Sequence, residues 1–247
     1  MLDNREDKIQ IQGEWLILGD SVSKGIVLNE ENGRYEKTPE SFISLLAARV
    51  GSTVRDLSMF GATVQKGLAL LQRHKDKLPK NGLVLMEFGG NDCDFLWPQV
   101  SEDPEAEHLP NVPMENFLKL YRELIYKVKE LGLTPVLLSL PPLDAERYFT
   151  TFSQKLNKDN VMNFLGGTTA TIYRWQEAYS AALPSLALET GSYFLDIRQP
   201  FLLQRHPEDF ICRDGIHPNE QGHRLIAKAV IERLSNLLAP EPEPEPA

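Results

Sequence analysis

The chain has 247 residues, of which 42% are hydrophobic and 25% charged, a composition typical of a soluble globular protein. Its 35 acidic residues outnumber its 26 basic residues, giving a formal net charge of -9. This balance argues against nucleic acid or an anionic membrane as the main partner, because both select clustered positive charge. No apolar run approaches the ~20 residues needed to cross a bilayer.

Short apolar runs alternate with amphipathic stretches along the chain. The runs that predict strands are, in order, Trp15–Leu18, Thr53–Leu57, Leu83–Phe88, Pro135–Leu140 and Tyr193–Ile197. Apolar residues at helical spacing predict a helix after each strand. The first predicted helix has Thr38 as its N-cap and Pro39 as its first residue. The other predicted helices run from Val64 to Leu71, from Met114 to Leu131 with Gly132 as the stop, from Thr169 to Leu188, and from Leu225 to Leu237.

Near-continuous apolar strands that alternate with helices are typical of a parallel sheet covered on both faces. We therefore predict an α/β protein, a three-layer α/β/α flavodoxin-like sandwich around a central five-stranded parallel sheet. One folded domain is predicted over residues 1–239. The alternating Pro and Glu of residues 240–247 predict an extended, disordered tail.

The start of the chain and its cysteines bear on the cellular compartment. The charged segment Met1–Lys8 is not followed by an apolar stretch and is unlike a secretory signal peptide. A cytoplasmic protein is therefore predicted, unless a leader has been removed. The only two cysteines, Cys93 and Cys212, are expected to be buried thiols. Their number excludes a disulfide framework and fits a reducing compartment.

Three loops that follow predicted strands carry reactive side chains. Gly19-Asp20-Ser21 ends the first strand, Gly89-Gly90-Asn91-Asp92 follows the third, and Asp214-Gly215-Ile216-His217 follows the fifth. In parallel sheets, sites form outside the carboxyl ends of the strands, so all three loops are expected at one crevice. Together they contain the nucleophile, base and orienting carboxylate of a serine hydrolase.

The chemistry explains why these residue types are needed together. A serine hydroxyl attacks efficiently only if a base removes its proton, and histidine suits that task because its pKa is about 6.5. Asp214 lies three residues before His217 and can reach its far ring nitrogen. The amide of Asn91 and backbone N–H groups beside a glycine can stabilise an oxyanion. Each loop alone is also typical of a turn, a helix cap or a surface residue, and the joint pattern favours catalysis.

The sequence resembles the SGNH hydrolase superfamily of GDSL-type esterases and lipases from about residue 14 to residue 237. The resemblance is carried by four sequence blocks, which are in order Gly19–Ser23, Gly61 after the second strand, Gly89–Asp92 and Asp214–His217. It implies a catalytic triad of Ser21, His217 and Asp214. It also implies an oxyanion hole formed by the N–H groups of Ser21 and Gly61 and the side chain of Asn91. The asparagine often found just before the second block is replaced here by Asp56 or Ser58.

Other classes of site lack support in the sequence. The motifs G-x-S-x-G, G-x-x-x-x-G-K-[ST], G-x-G-x-x-G and H-E-x-x-H are absent. The histidines outside the triad show no metal-ligand spacing, and we expect all of them at the surface: His74, His108, His206 and His223. No cofactor and no metal is predicted.

Two segments are candidates for substrate recognition. Residues 94–108 form an acidic loop with aromatic residues beside the third block, and residues 143–164 form a long insertion, which is typical of a lid or binding loop. Four aromatic side chains in them either contact a sugar ring or acyl group, or only pack the loops onto the body: Trp97, Tyr148, Phe149 and Phe152.

We therefore predict a serine esterase that acts through an acyl-enzyme and deacetylates sugars or oligosaccharides, because an acidic rim suits a neutral substrate. The partner would be a small-molecule or oligosaccharide ester, with no nucleic acid and no membrane. The alternatives are a lysophospholipase or acyl-CoA thioesterase, a non-catalytic carbohydrate-binding module, and an enzyme that transfers the acyl group to a sugar. The sequence indicates no oligomeric state.

Overall fold

The computed structural model describes residues 14–50 and 53–238. The strands are β1 (Glu14–Gly19), β2 (Ile26–Asn29), β3 (Arg34–Lys37), β4 (Val54–Asp56), β5 (Gly82–Glu87), β6 (Thr134–Leu138) and β7 (Tyr193–Leu195). The helices are α1 (Ser21–Lys24), α2 (Phe42–Arg49), α3 (Val64–His74), α4 (Trp97–Glu102), α5 (Met114–Glu130), α6 (Ala145–Phe152), α7 (Lys158–Phe164), α8 (Ala170–Thr190), α9 (Gln199–Leu202) and α10 (Glu220–Leu238).

Five strands form one parallel sheet in the order β4-β1-β5-β6-β7. Numbered along the chain, this order is 2-1-3-4-5, which is the flavodoxin-like arrangement. The predicted α/β sandwich is thereby confirmed. The order reverses between β1 and β5, and doubly wound sheets open a crevice at such a switch point. Ser21 follows β1 and Asn91 follows β5, so both lie at the mouth of this crevice.

The side chains of β1 explain the two buried faces of the sheet. Leu16 and Leu18 pack into one apolar cluster with α3, α5 and α8, whereas Trp15 and Ile17 pack into the other with α2 and α10. Successive strand residues point to opposite faces, and both faces are covered by helices. This accounts for the continuous apolar runs in the sequence.

Helix α2 begins later than predicted. Thr38 is not its N-cap, since α2 begins at Phe42 and the Ser41 hydroxyl accepts the N–H of Ser44. Thr38 instead accepts the N–H of Glu40 and donates to the Glu220 carboxylate at 3.0 Å. These bonds hold a turn against α10, so Thr-Pro marks a turn here.

The expectation that His223 lies at the surface is wrong. Its side chain is 0% exposed and stacks on the ring of Phe42, with the ring centroids 6.1 Å apart. Burial lowers the pKa of His223 to about 4. The position follows from helical spacing, because His223 precedes the buried Ile226 and Val230 by three and seven residues on the face that meets α2.

The insertions after β5 and β6 are folded rather than extended. They contain α4, α6 and α7, which enclose a third cluster of mostly aromatic side chains. Trp97 of α4 stacks on Phe152 of α6 with ring centroids 4.3 Å apart. The Asp144 N–H just before α6 donates to the Gly215 carbonyl at 2.8 Å. The insertion 143–164 thus rests against the loop that carries Asp214 and His217, and lid motion stays a prediction.

Three further predictions concern the cysteines, the chain ends and membrane-spanning segments. Cys93 and Cys212 are both buried, as predicted. Residues 1–8 and the tail 240–247 lie outside the described residues. Among the helices that the structure describes, none combines the length and the apolar character that a bilayer crossing requires.

Candidate active site

The serine predicted as nucleophile is the first residue of α1. Asp20 precedes it, and its Oδ1 accepts the N–H of Val22 at 2.8 Å, which caps the helix. Gly19 is required for this sharp turn, because a Cβ there would lie 2.4 Å from Ser23 Oγ. The chain thus passes directly from a buried strand into a helix and holds Ser21 at the crevice.

The last loop fixes an aspartate and a histidine in one turn. Asp214 Oδ1 accepts the N–H groups of Ile216 and His217, each at 3.1 Å. Between them Gly215 has φ of +83°, in the region that favours glycine, and a Cβ there would lie 2.4 Å from the backbone nitrogen of Tyr148. The turn therefore sets the direction of the Asp214 and His217 side chains.

Ser21, His217 and Asp214 form one chain of hydrogen bonds. Ser21 Oγ lies 2.9 Å from His217 Nε2, and His217 Nδ1 lies 2.6 Å from Asp214 Oδ2. A carboxylate can only accept, so the imidazole proton belongs on Nδ1 and leaves Nε2 free to accept the serine hydroxyl. Burial alone would raise the pKa of Asp214, but the hydrogen bond and charge of His217 hold this pKa below its ordinary value.

The two further oxyanion-hole candidates lie beside this chain of bonds. Asn91 Nδ2 donates to Asp20 Oδ2 at 2.9 Å and to the Ala62 carbonyl at 3.2 Å. Ala62 follows Gly61 in a turn whose Met59 N–H donates to the carbonyl of Gly19 at 3.1 Å. The structure thus brings the second and third blocks to the nucleophile loop. The Asn91 amide of the third block bonds both to that loop and to the turn that contains Gly61.

Buried acids surround the nucleophile loop. Glu87 at the end of β5 is adjacent to Asp20 and accepts the Ser23 hydroxyl at 3.1 Å. Burial and the neighbouring Asp20 carboxylate raise the pKa of Glu87 well above its ordinary value. Glu87 was not among the predicted site residues, although a lone acid in the apolar run of β5 was a usable signal.

Asp92 is a second buried acid that organises the site. Its Oδ1 accepts the N–H of Val64 at 2.9 Å and so anchors the start of α3, two residues after Ala62. Burial raises the pKa of Asp92 to about 7. Asp92 therefore ties the third loop to the turn that contains Gly61.

A cavity of about 80 Å³ opens from the triad into the body. Ser21, Asn91 and His217 lie at its polar end, and Gly61 is not part of its wall. Its apolar wall includes residues that the sequence analysis did not single out as binding residues: Phe95, Leu140, Leu143, Ile172 and Trp175. The sequence signal for Phe95 was its place in the aromatic segment 94–108. Trp175 gave no such signal, because it was only one residue of a predicted helix.

The four predicted substrate-binding aromatics are placed differently from one another. Trp97 and Tyr148 line the cavity, and both donate to the half-buried Asp94: Trp97 Nε1 to Oδ1 at 2.8 Å and the Tyr148 hydroxyl to Oδ2 at 2.7 Å. Phe149 and Phe152 do not line it and pack within the aromatic cluster. A substrate contact by any of the four stays a prediction.

On its outer side, the His217 imidazole is flanked by two exposed rings. The rings of Tyr35 and Phe60 have centroids 5.1 Å and 6.0 Å from that of His217. Both side chains are exposed, at 44% and 52%. Burial and the Asp214 carboxylate raise the pKa of Tyr35 to about 12, so its hydroxyl stays protonated near neutral pH.

Comparison with known proteins agrees with this architecture. The model of the GDSL-like Lipase/Acylhydrolase family matches residues 17–225. The solved structure of TesA is 20% identical with a TM-score of 0.60 and covers 91% of this chain and 99% of its own. LAE5, an alpha/beta hydrolase enzyme from the metagenome of Lake Arreo, Spain, is 20% identical with a TM-score of 0.63 and covers 94% and 99%.

A third structure with the same fold is Axe2, an acetylxylan esterase from Geobacillus stearothermophilus. It is 20% identical with a TM-score of 0.59 and covers 92% of this chain and 96% of its own. No protein of curated function matches the chain in sequence. The family match spans the first, second, third and last blocks together with the sheet that positions them. The resemblance noted in the sequence is therefore confirmed, and the chain belongs to the GDSL-like lipase/acylhydrolase family of ester hydrolases.

Proposed function

We propose that the protein is a serine esterase that cleaves carboxylic esters through an acyl-enzyme, and that it deacetylates sugars or oligosaccharides. The observation that carries the proposal is the unbroken chain from Ser21 through His217 to Asp214, with distances of 2.9 Å and 2.6 Å. This geometry gives the hydroxyl a base and gives the base an orienting carboxylate, which are the requirements of nucleophilic catalysis by serine.

Acylation begins when Ser21 Oγ attacks the ester carbonyl carbon while its proton passes to His217 Nε2. Asp214 stabilises the imidazolium that forms. The tetrahedral intermediate then collapses, the carbon–oxygen bond to the alcohol breaks, and the alcohol leaves with the proton from Nε2. In deacylation, Nε2 takes a proton from water as the water oxygen attacks the acyl carbon. Collapse releases the carboxylic acid and returns the proton to Ser21.

The oxyanion needs donors in place before the attack. We assign these to the N–H groups of Ser21 and Gly61 and to the side chain of Asn91. Both amide hydrogens of Asn91 are engaged, with Asp20 at 2.9 Å and with Ala62 at 3.2 Å. The longer bond to Ala62 is the one that we expect the oxyanion to replace, while Asp20 keeps the amide oriented.

The size of the inner cavity supports a short acyl group. A volume of about 80 Å³ holds only a few water molecules, each of which needs about 10–15 Å³ of such space. An acetyl group fits this space, whereas a long fatty chain would require the aromatic wall to move. The shared fold with an acetylxylan esterase supports acetylated sugars as the first substrates to test.

A second candidate rests on the character of the same wall. Phe95, Trp97, Ile172 and Trp175 make the cavity largely apolar beyond the triad. Apolar walls of this kind also suit medium acyl chains, as in a lysophospholipase or thioesterase. The carbonyl chemistry would be the same, and only the acyl length and the alcohol or thiol would differ.

A panel of p-nitrophenyl esters from acetate to palmitate, followed by acetylated xylose and xylo-oligosaccharides, separates the candidates. We expect kcat/KM to be highest for acetate and to fall with chain length, and we expect acetate release from the sugars. Faster release of fatty acid from acyl-CoA or lysophospholipid than of acetate from sugars would contradict sugar deacetylation. If Ser21→Ala keeps its esterase activity, the nucleophile assignment is wrong.

A further inference from the structure

A second, larger depression lies outside the inner cavity. It is an open groove of about 670 Å³ between the hairpin β2–β3, helix α6 and Arg213. This volume is within the range of about 300–1,000 Å³ typical of small-ligand sites. The groove does not share its lining with the inner cavity.

The groove reaches the catalytic histidine through Tyr35. Tyr35 lines the groove, and its ring centroid lies 5.1 Å from that of His217. Arg213 also lines the groove and directly precedes Asp214 in the chain. The third wall, α6, rests on the same loop, because the Asp144 N–H donates to the Gly215 carbonyl at 2.8 Å. The hairpin, Arg213 and α6, which form the three walls of the groove, therefore all border the loop that carries His217.

The reaction fixes which half of the ester lies on this side. In the mechanism proposed above, the leaving alcohol takes its proton from His217 Nε2, so its oxygen must lie beside the imidazole. The inner cavity on the body side of Ser21 is small, its wall beyond the polar end is largely apolar, and it suits the acyl group. The rest of the alcohol then extends outward past the exposed rings of Tyr35 and Phe60, toward the groove.

The lining of the groove indicates the chemistry of that alcohol. Charges of both signs are present, with Glu30 on the hairpin 3.9 Å from Arg213 across the groove and Glu146 and Arg147 on α6. Hydroxyl and amide groups lie among them, including Thr151 and Gln154. A single phosphate would select clustered positive charge, and an alkyl chain would select an apolar wall. A neutral polyol with an apolar ring face suits hydrogen-bonding groups that surround one tyrosine ring.

We propose that this groove is an oligosaccharide subsite that binds the sugar units beyond the esterified one, with Tyr35 as the ring on which the sugar next to the scissile ester stacks. The proposal rests on the function proposed above. It adds where the alcohol part of the ester binds and that this alcohol spans more than one sugar unit. It makes the groove the determinant of preference for oligosaccharides over single sugars.

The test compares acetylated xylose, acetylated xylotetraose and ethyl acetate as substrates of the full chain. In the unmodified protein we expect kcat/KM for the tetrasaccharide to exceed that for the monosaccharide by about tenfold, equivalent to ~1.4 kcal/mol. The double variant Thr151→Ala/Gln154→Ala should lose this preference through a higher KM for the tetrasaccharide. Ethyl acetate, which cannot reach the groove, reports whether the variant is folded and serves as the reference for each ratio.

A matched control comes from Tyr193, which is exposed by 44%, the same fraction as Tyr35, but lies on the edge strand β7. Tyr35→Ala should lower the ratio of tetrasaccharide to ethyl acetate hydrolysis, and Tyr193→Ala should leave it unchanged. Equal kcat/KM for the two sugars in the unmodified protein, or a preference that survives Thr151→Ala/Gln154→Ala, would overturn the groove assignment while sugar deacetylation stands. Cleavage of ethyl acetate with no cleavage of either sugar would overturn the proposed function itself, and the groove assignment with it.

Discussion

Asn91 donates its side-chain amide to Asp20 at 2.9 Å, so the loop after β5 is hydrogen-bonded to the residue just before the serine. The same Asp20 accepts the N–H of Val22 at 2.8 Å and therefore holds the start of α1. One carboxylate thus positions both the nucleophile loop and a candidate oxyanion donor. Burial raises the pKa of this carboxylate, and its hydrogen bonds to Val22 and Asn91 oppose that rise.

Removing the amide of Asn91 should weaken catalysis more than binding. We expect Asn91→Ala to lower kcat on p-nitrophenyl acetate by about 10²–10³, with little change in KM, because an oxyanion donor acts only in the transition state. The matched control is Asn111→Ala, because the Asn111 side chain donates to the Asn91 carbonyl and lies outside the proposed oxyanion hole. A rise in KM with kcat unchanged for Asn91→Ala would assign Asn91 to ground-state binding instead.

Replacing Asp214 by asparagine should place the imidazole in the wrong tautomer. The amide can donate to Nδ1, which then leaves the proton on Nε2 facing Ser21, and we expect kcat to fall by about 10⁴. Steady-state hydrolysis of p-nitrophenyl acetate measures this loss. Asp209→Asn, at an exposed position before the same loop, is the control and should keep full activity. Comparable activity of the two variants would remove Asp214 from the catalytic machinery.

Asp92 should make the fold less stable as the pH rises. Its pKa is about 7 in the folded protein, above its ordinary value, so the folded state binds more protons than the unfolded state between about pH 4 and pH 7. This contribution is fully present at acid pH and declines by about 1.4 kcal/mol per pH unit across that window. Asn in its place keeps an acceptor for Val64 and does not ionise. Urea unfolding at pH 4.5 and 7.5 should therefore show Asp92→Asn gaining stability over the unmodified protein at the higher pH, and a constant difference would contradict this.

His223 should act in the opposite direction. Burial lowers its pKa to about 4, so the unfolded state binds the extra proton between about pH 6.5 and pH 4. The stability that neutral His223 contributes is present above this window and is lost as the pH falls through it. His223→Asn keeps an acceptor for the Phe42 N–H but has no such titration. The stability advantage of the unmodified protein over this variant should shrink on acidification, and an advantage that grows at pH 4 would refute the burial of a neutral imidazole.

The sequence predicted the sheet because buried parallel strands leave continuous apolar runs, as in Trp15–Leu18 and Leu83–Met86. It predicted the triad because short loops follow those runs and carry Ser21, Asp214 and His217. It could not predict the hairpin β2–β3, because all of Arg34–Lys37 is exposed and has no apolar alternation. The contact of Tyr35 with His217 depends on that hairpin and therefore could not be predicted from the sequence either. The burial of His223 was readable from helical spacing, but it requires knowing that α10 packs on α2.

If Ser21 is the residue that becomes acylated, mass spectrometry of the labelled chain should find it as the site of covalent modification. The protein is treated with an ethyl phosphonate ester that reacts with activated serines, digested, and compared with Ser21→Ala and with the untreated protein. We predict one adduct per chain, on the peptide that contains Ser21, with loss of esterase activity in proportion to labelling. An adduct on a different residue, or full labelling of Ser21 with activity retained, would contradict the assignment of Ser21 as the nucleophile.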